Sequence, residues 1–307
     1  MKYIFGLIIP LTFTLSAAEP VRLILHADDV GMSHSTNLAV IPMLDSGAVS
    51  SASIMMPCPW VSQIADYARR HPEKDLGLHL TLTSEWKLYR WPPVAPVDRV
   101  RGLLDPDGYL WRSVEETATH ANPQEVEIEL RAQIEKAKAM GIKFTHFDTH
   151  MGTLYARPDY FQVFEKLGRE YNVPILRFKY DKAALEAEVP PVMVKYLGDS
   201  EPRFQKEGMF RLDSLLTNPA RGIPTEAERR AAYHQTLRSL KPGVTMIILH
   251  PALLNEELRS ITGTHRQRDL DYRIFMEEQT RALIRSLGIQ LVGWRDVAAQ
   301  LPKLQVH

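Results

Sequence analysis

The chain has 307 residues, 45% of them hydrophobic and 24% charged, with 37 Lys plus Arg against 37 Asp plus Glu. That is the mix of an ordinary globular protein, long enough for one large α/β domain or two smaller ones. The balanced charge excludes the basic excess that nucleic acid calls for, and the single cysteine excludes an intramolecular disulfide framework.

The first residues read as an export signal. Lys2 gives a short positive start, residues 4–15 an apolar run, and Ser16, Ala17 and Ala18 the small residues before a cut after Ala18. The run is shorter than the ~20 apolar residues that a bilayer span takes. The expected product is an exported chain starting near Glu19, periplasmic or secreted, with no stable membrane insertion. Short apolar runs of strand length then recur at residues 21–27, 49–56, 76–82, 142–147, 173–178, 244–249 and 289–292. Between them lie helical patterns. Residues 37–46 carry Leu38, Ile41 and Leu44 and stop at Gly47. Residues 123–140 place acidic groups early and Lys136 and Lys138 late, with Gly141 as the stop, in keeping with the helix dipole. Residues 160–171 and 276–287 read similarly. Cys58, between Pro57 and Pro59, reads as a packing residue. Residues 84–108 and 182–225 break the alternation and read as long loops.

Strand and helix alternating along the whole chain predict a mostly parallel sheet covered by helices. With about seven evenly spread strands and no break in composition, the expected fold is an α/β irregular (β/α) barrel, one domain over residues 19–307. A doubly wound open sheet is the competing arrangement, although no G-x-G-x-x-G fingerprint or P-loop lysine motif is present.

Polar residues gather at the ends of the predicted strands. The first ends in Asp28 and Asp29, the third runs into His79, the fourth ends in Asp148 and His150, the fifth near Arg177 and the sixth in His250. In a β/α barrel those ends share one rim, where catalytic groups sit. Each residue alone has a bland reading, as a turn residue, a helix cap or a core histidine. Adjacent carboxylates after a buried strand, however, repel unless a cation or a shared proton relieves them. Two imidazoles and a carboxylate make a facial ligand set with open positions. A further carboxylate then serves as base and a histidine as acid, the groups that amide hydrolysis by activated water requires. The serine-hydrolase elbow and the H-E-x-x-H helix are absent.

At these residues the sequence resembles the YdjC-like (ChbG/HpnK) carbohydrate deacetylases. H-A-D-D-V-G (26–31) resembles the family's N-A-D-D-F-G, and G-A-V-S-S (47–51) its G-x-V-T-S. G-L-H-L-T-L-T (77–83) matches G-L-H-L-x-L-T, T-H-F-D-T-H (145–150) resembles T-H-x-D-S-H, and L-H-P-A (249–252) resembles C-H-P-G. The five motifs span most of the chain in the family's order. The resemblance implies an irregular barrel, a divalent metal (Mg2+ or Zn2+) and deacetylation of an N-acetylated sugar. It assigns Asp29, His79 and His150 as metal ligands, Asp28 as base and His250 as acid, with the roles inside the Asp pair interchangeable. Arg177 matches a family arginine and would orient a carboxylate or a substrate oxygen, a plain salt bridge being the alternative. Trp86, Tyr89 and Trp91 either stack on sugar faces or anchor a packed loop. The chain departs from the family at His26, where Asn is usual, and at Met151 to Thr153, where further histidines often follow. A carbohydrate is the expected partner, nucleic acid is not, and a homodimer is left open. A metal phosphoesterase or sugar isomerase on the same barrel, and a non-catalytic exported glycan-binding protein, are the rival readings.

Overall fold

The computed structural model describes residues 19–299, so the expected signal segment lies outside the described residues. In chain order the elements are β1 (Val21–Val30), α1 (His34–Ser46), β2 (Ser51–Ile54), α2 (Val61–Arg70), β3 (Leu76–Leu80), α3 (Val114–His120), α4 (Pro123–Ala139), β4 (Phe147–Thr149) and α5 (Pro158–Glu170). There follow α6 (Lys182–Glu188), α7 (Pro191–Lys206), β5 (Ser214–Thr217), α8 (Glu226–Ser239), β6 (Gly243–Leu249), α9 (Glu256–Ile261), α10 (His265–Met276), α11 (Glu278–Ser286), β7 (Gln290–Leu291) and α12 (Trp294–Ala298).

The strands form one seven-stranded sheet in the order β4-β3-β2-β1-β6-β5, with every pairing parallel. β1 is the hub. β6 runs along one edge from Val21 to Ala27. The other edge is divided: β7 pairs with Arg22 and Leu23, and β2 takes over from His26. The sheet curls, and the segment after α5 carries it round by single parallel bridges, Phe147 to Ile175 and Phe178 to Leu212. This is the irregular single-domain barrel expected, except that residues 173–178 bridge without laddering. Pro174 has no N–H to give at the start of that run.

Residues 182–225, expected to be an irregular loop, hold α6, α7 and β5. Gly198 and Pro202 inside α7 hide its helical period, and the four residues of β5 are too few to show an alternation. Helix ends follow the sequence signals more closely. Ser33 caps α1, whose C-terminus stops at Gly47 with φ 70°, and Asn122 and Glu125 form a capping box on α4. Among the described residues no helix is long and apolar enough to cross a membrane.

The long loop after β3 is anchored. Trp91 is buried and its indole N–H donates to Thr83 O at 2.9 Å. Glu129 on α4 accepts the N–H groups of Val94 and Ala95. Those ties hold Glu85 and Trp86 over the rim. Beneath the rim, Gly77 in β3 makes room for a histidine: a Cβ there would lie 2.3 Å from the His146 ring, which is itself stacked on Trp294 with centroids 4.8 Å apart. Since the ring cannot retreat, Gly77→Ala should cost at least the ~1–3 kcal/mol of an overpacked core. A urea midpoint unchanged by that substitution would contradict this packing.

Candidate active site and metal centre

Parallel strands deliver their C-terminal residues to one end of the sheet. Asp28 and Asp29 close β1, His79 lies one residue before the end of β3, Asp148 is in β4, and His150 and His250 directly follow β4 and β6. In a regular strand Asp28 and Asp29 would face opposite ways. Here Ala27 pairs with Ala52 and Val30 with Ile54, so β1 carries one residue more than β2 across the step. Asp29 absorbs this bulge with φ 65°, a left-handed conformation that Asp tolerates better than most residues. Both carboxylates therefore turn into the same space.

Asp29 is the centre. Its Oδ2 accepts from Arg268 Nη2 at 2.8 Å, while its buried Oδ1 has no hydrogen-bond partner. That orphaned oxygen lies 3.6 Å from His79 Nε2 and 3.4 Å from His150 Nδ1. Each imidazole is fixed from behind. The Nδ1 of His79 is 2.8 Å from Asp148 Oδ1, and the Nε2 of His150 is 3.0 Å from Glu85 Oε2. With the far nitrogen donating to a carboxylate, each ring in its neutral form presents the lone pair of its near nitrogen toward Asp29, the arrangement outer carboxylates impose on ligand histidines. The three donor atoms lie within 4.8 Å of one another. The orphaned oxygen and the two lone pairs fit a divalent cation, and as an ion-free set they leave a buried acceptor unsatisfied.

Asp28 lies beside this group. Its Oδ1 is held by Ser53 Oγ at 3.3 Å and faces His26 Nε2 at 3.1 Å. Its Oδ2 is freer, 3.8 Å from His79 Nε2 and 3.9 Å from His250 Nε2. The side chain of His250 is 31% exposed, so it stands on the open side, and its backbone N–H donates to Asp271 on α10. Burial lowers the pKa of His250, with Asp29 pulling the other way and Arg268 assisting the fall.

The remaining electrostatics suit a cation pocket. Burial alone would raise Asp29, but Arg268, His150 and His250 hold it well below the carboxylate range. Burial resists protonation of His26, yet Asp148 and Asp28 hold it up to about 9. For His150 burial is likewise outweighed, by Glu85 and Asp29, and its pKa rises to about 10. Both folded values lie above the ordinary 6.5. In the metal-free chain their stabilisation is therefore complete below about pH 6.5 and lost as the pH climbs through about 9 to 10. Urea midpoints in chelator should fall between neutral pH and about pH 10, and less so in His26→Asn. A midpoint that holds steady over that interval would sink the assignment.

A model of the YdjC-like protein family matches residues 22–286. The chain belongs to the YdjC-like family. Relatives of this YdjC-like chain include a carbohydrate deacetylase of Thermus thermophilus, 31% identical over 280 residues that cover 91% of this chain and 94% of that protein. Another is a carbohydrate deacetylase of Brevibacillus brevis, 28% identical, covering 90% of this chain and 99% of that protein. Among solved structures, a candidate cellobiose-phosphate cleavage protein of Enterococcus faecalis V583 superposes with a TM-score of 0.75 at 23% identity. It covers 91% of this chain and 99% of its own, a likeness of fold.

Of the residues singled out in the sequence, the fold brings Asp28, Asp29, His79, His150 and His250 together. Trp86 is close by, half-buried, with the Arg268 guanidinium 5.6 Å from its ring centroid and its edge against Trp91. Arg177 is elsewhere. It is buried, paired with Glu165 at 2.9 Å and packed on Phe204, with no hydrogen bond or ion pair to the Asp–His group. It is thus neither a surface salt bridge nor, in this conformation, a neighbour of the cluster. Cys58 is buried in the core, as expected. Sequence reading missed Glu85 and Arg268. Arg268 and Asp271 occupy buried positions one helical turn apart on α10, where a core stripe should be apolar. Two charges on a buried stripe were the available signal.

Proposed function

We propose that this YdjC-like chain is an exported, metal-dependent hydrolase that removes acetyl groups from N-acetylated carbohydrates, chitooligosaccharide-like or other glycans. The observation that carries the reading is the unsatisfied Asp29 oxygen between two imidazoles, each backed by its own carboxylate, in a relative of carbohydrate deacetylases. Asp29, His79 and His150 would hold the cation; two imidazoles suit a zinc-class ion better than magnesium, which prefers oxygen. When bound, such an ion polarises the amide carbonyl and makes a water more acidic.

The chain's own groups do the rest. Asp28, with one oxygen tied back and the other facing the open position, takes the water proton. His250, neutral at rest because its pKa is lowered, gains a proton from that side and passes it to the leaving nitrogen. Arg268 keeps Asp29 ionised and in place. Trp86, half-exposed above Arg268, offers a face for a sugar ring. The predicted leader at residues 1–18 supports glycans outside the cytoplasm as substrates.

The test is acetate release from chitooligosaccharides and other N-acetylated sugars by the mature chain, with and without chelator. Metal-dependent release on any of them supports the proposal. Release that chelator leaves untouched, or sugar binding without turnover across the panel, overturns it.

A further inference from the structure

Below the Asp29 group lies a second cluster that the proposed mechanism does not use. His26, His146 and Asp148 each offer one donor atom, the three within 4.8 Å of one another and all buried. His26 Nε2 is 3.0 Å and His146 Nε2 3.8 Å from Asp148 Oδ2. His146 Nε2 has no hydrogen-bond partner, and the residue is 0% exposed.

The hydroxyls behind the two rings fix which nitrogens carry protons. Ser51 donates its hydroxyl hydrogen to Asp75 Oδ1 at 2.8 Å. Its oxygen can therefore only accept from His26 Nδ1, 3.0 Å away. Thr145 donates its hydrogen to the same Asp75 oxygen at 2.9 Å, so it too can only accept from His146 Nδ1, at 2.9 Å. With Nδ1 protonated, a neutral His146 aims its Nε2 lone pair toward Asp148; His26 does the same once a cation displaces the Nε2 proton that Asp148 and the accepting Ser53 hydroxyl hold in the ion-free chain. His26 Nε2 also meets Asp28 Oδ1 at 3.1 Å and the Ser53 hydroxyl at 3.1 Å. Two buried carboxylates facing these imidazoles call for a positive charge between them, a proton on His26 in the ion-free chain or a metal cation in its place.

We propose that His26, His146 and Asp148 form a second cation site, distinct from Asp29, His79 and His150, that takes a borderline transition-metal dication of the zinc class. Tetrahedral coordination at about 2.0–2.2 Å sets donor atoms roughly 3.3–3.6 Å apart, and the observed separations of 3.0 and 3.8 Å bracket that range. Asp75 is the shared outer carboxylate, reaching each histidine through one hydroxyl and held in turn by the Arg295 backbone N–H. Burial on all sides marks the site as closed and structural. Asp148 links the two sites, since its other oxygen holds His79. The histidine at position 26, where the resembling family has Asn, supplies the donor particular to this chain.

The experiment is elemental analysis of the purified full chain after loading with Zn2+ alone and gel filtration. Wild type should carry two equivalents and His26→Asn one. A chain stripped of the upper site, Asp29→Ala with His150→Ala, should keep one, and adding His26→Asn should remove it. If the stripped chain fails to fold, the drop from two to one in His26→Asn decides. His26→Asn that binds as much zinc as wild type, or a stripped chain that binds none, overturns the second site and shows that a proton on His26 supplies the charge. The upper site is scored separately: its failure appears as a wild type whose zinc is untouched by the Asp29 and His150 substitutions.

Discussion

Asp28→Asn should lower kcat for acetate release by about 10²- to 10⁴-fold while zinc at the Asp29 group stays at the wild-type level. The substitution keeps the size of the side chain and an oxygen for Ser53 to donate to, and removes only the charge that accepts the water proton. KM should move little, because Asp28 lies inside the rim and only its Oδ2 faces the open position. Steady-state kinetics and metal analysis on the same preparation separate this from a loss of ligand. If metal is lost together with activity, Asp28 is the ligand and the two aspartates exchange roles.

Asp29→Ala has the larger reach. It removes the oxygen on which both imidazoles converge and leaves Arg268 as a buried cation without its partner. Turnover should fall to background and zinc at the upper site should be lost. Stability should drop by about 3–5 kcal/mol, the usual penalty for breaking a buried ion pair from one side. Asp29→Asn, which still tolerates the left-handed backbone and can accept from Arg268, should lose turnover with a smaller loss of stability. Denaturant midpoints of the two variants make the comparison. Equal destabilisation would mean that the Arg268 pair contributes nothing.

The upper site was legible because its residues sit where a parallel sheet must collect them. Asp28, Asp29, His79, His150 and His250 each follow or end an apolar run, and the register does the rest. The pairing of two carboxylates on one face was not legible, because it depends on a bulge and one positive φ at Asp29 that alternation alone forbids. Arg268 was hidden for another reason: its contact with Asp29 spans 239 residues and crosses from a helix to a strand end. No local pattern encodes such a distance. Glu85 sits in an irregular loop whose path is set by Trp91 and Glu129, so its approach to His150 follows from packing. The strands show the same division. Long runs such as β1 and β6 announce themselves, whereas β5 is four residues, none of them fully buried, supported by β6.

The divided edge of β1 bears on the order in which this protein can be made. The upper part of that edge is occupied by β2, made early, and the lower part by β7, which follows some 260 residues after β1. Directly after β7 come Trp294, which stacks beneath His146, and Arg295, whose backbone N–H holds Asp75. A nascent chain that has already emitted every proposed catalytic residue still lacks the floor on which the histidines rest. Its first strand waits with part of an edge unpaired, a state prone to pairing with the wrong chain. Such dependence on distant sequence makes for slow, all-or-none assembly, so the reaction centre should become competent only when the last turns of the molecule have been synthesised and docked.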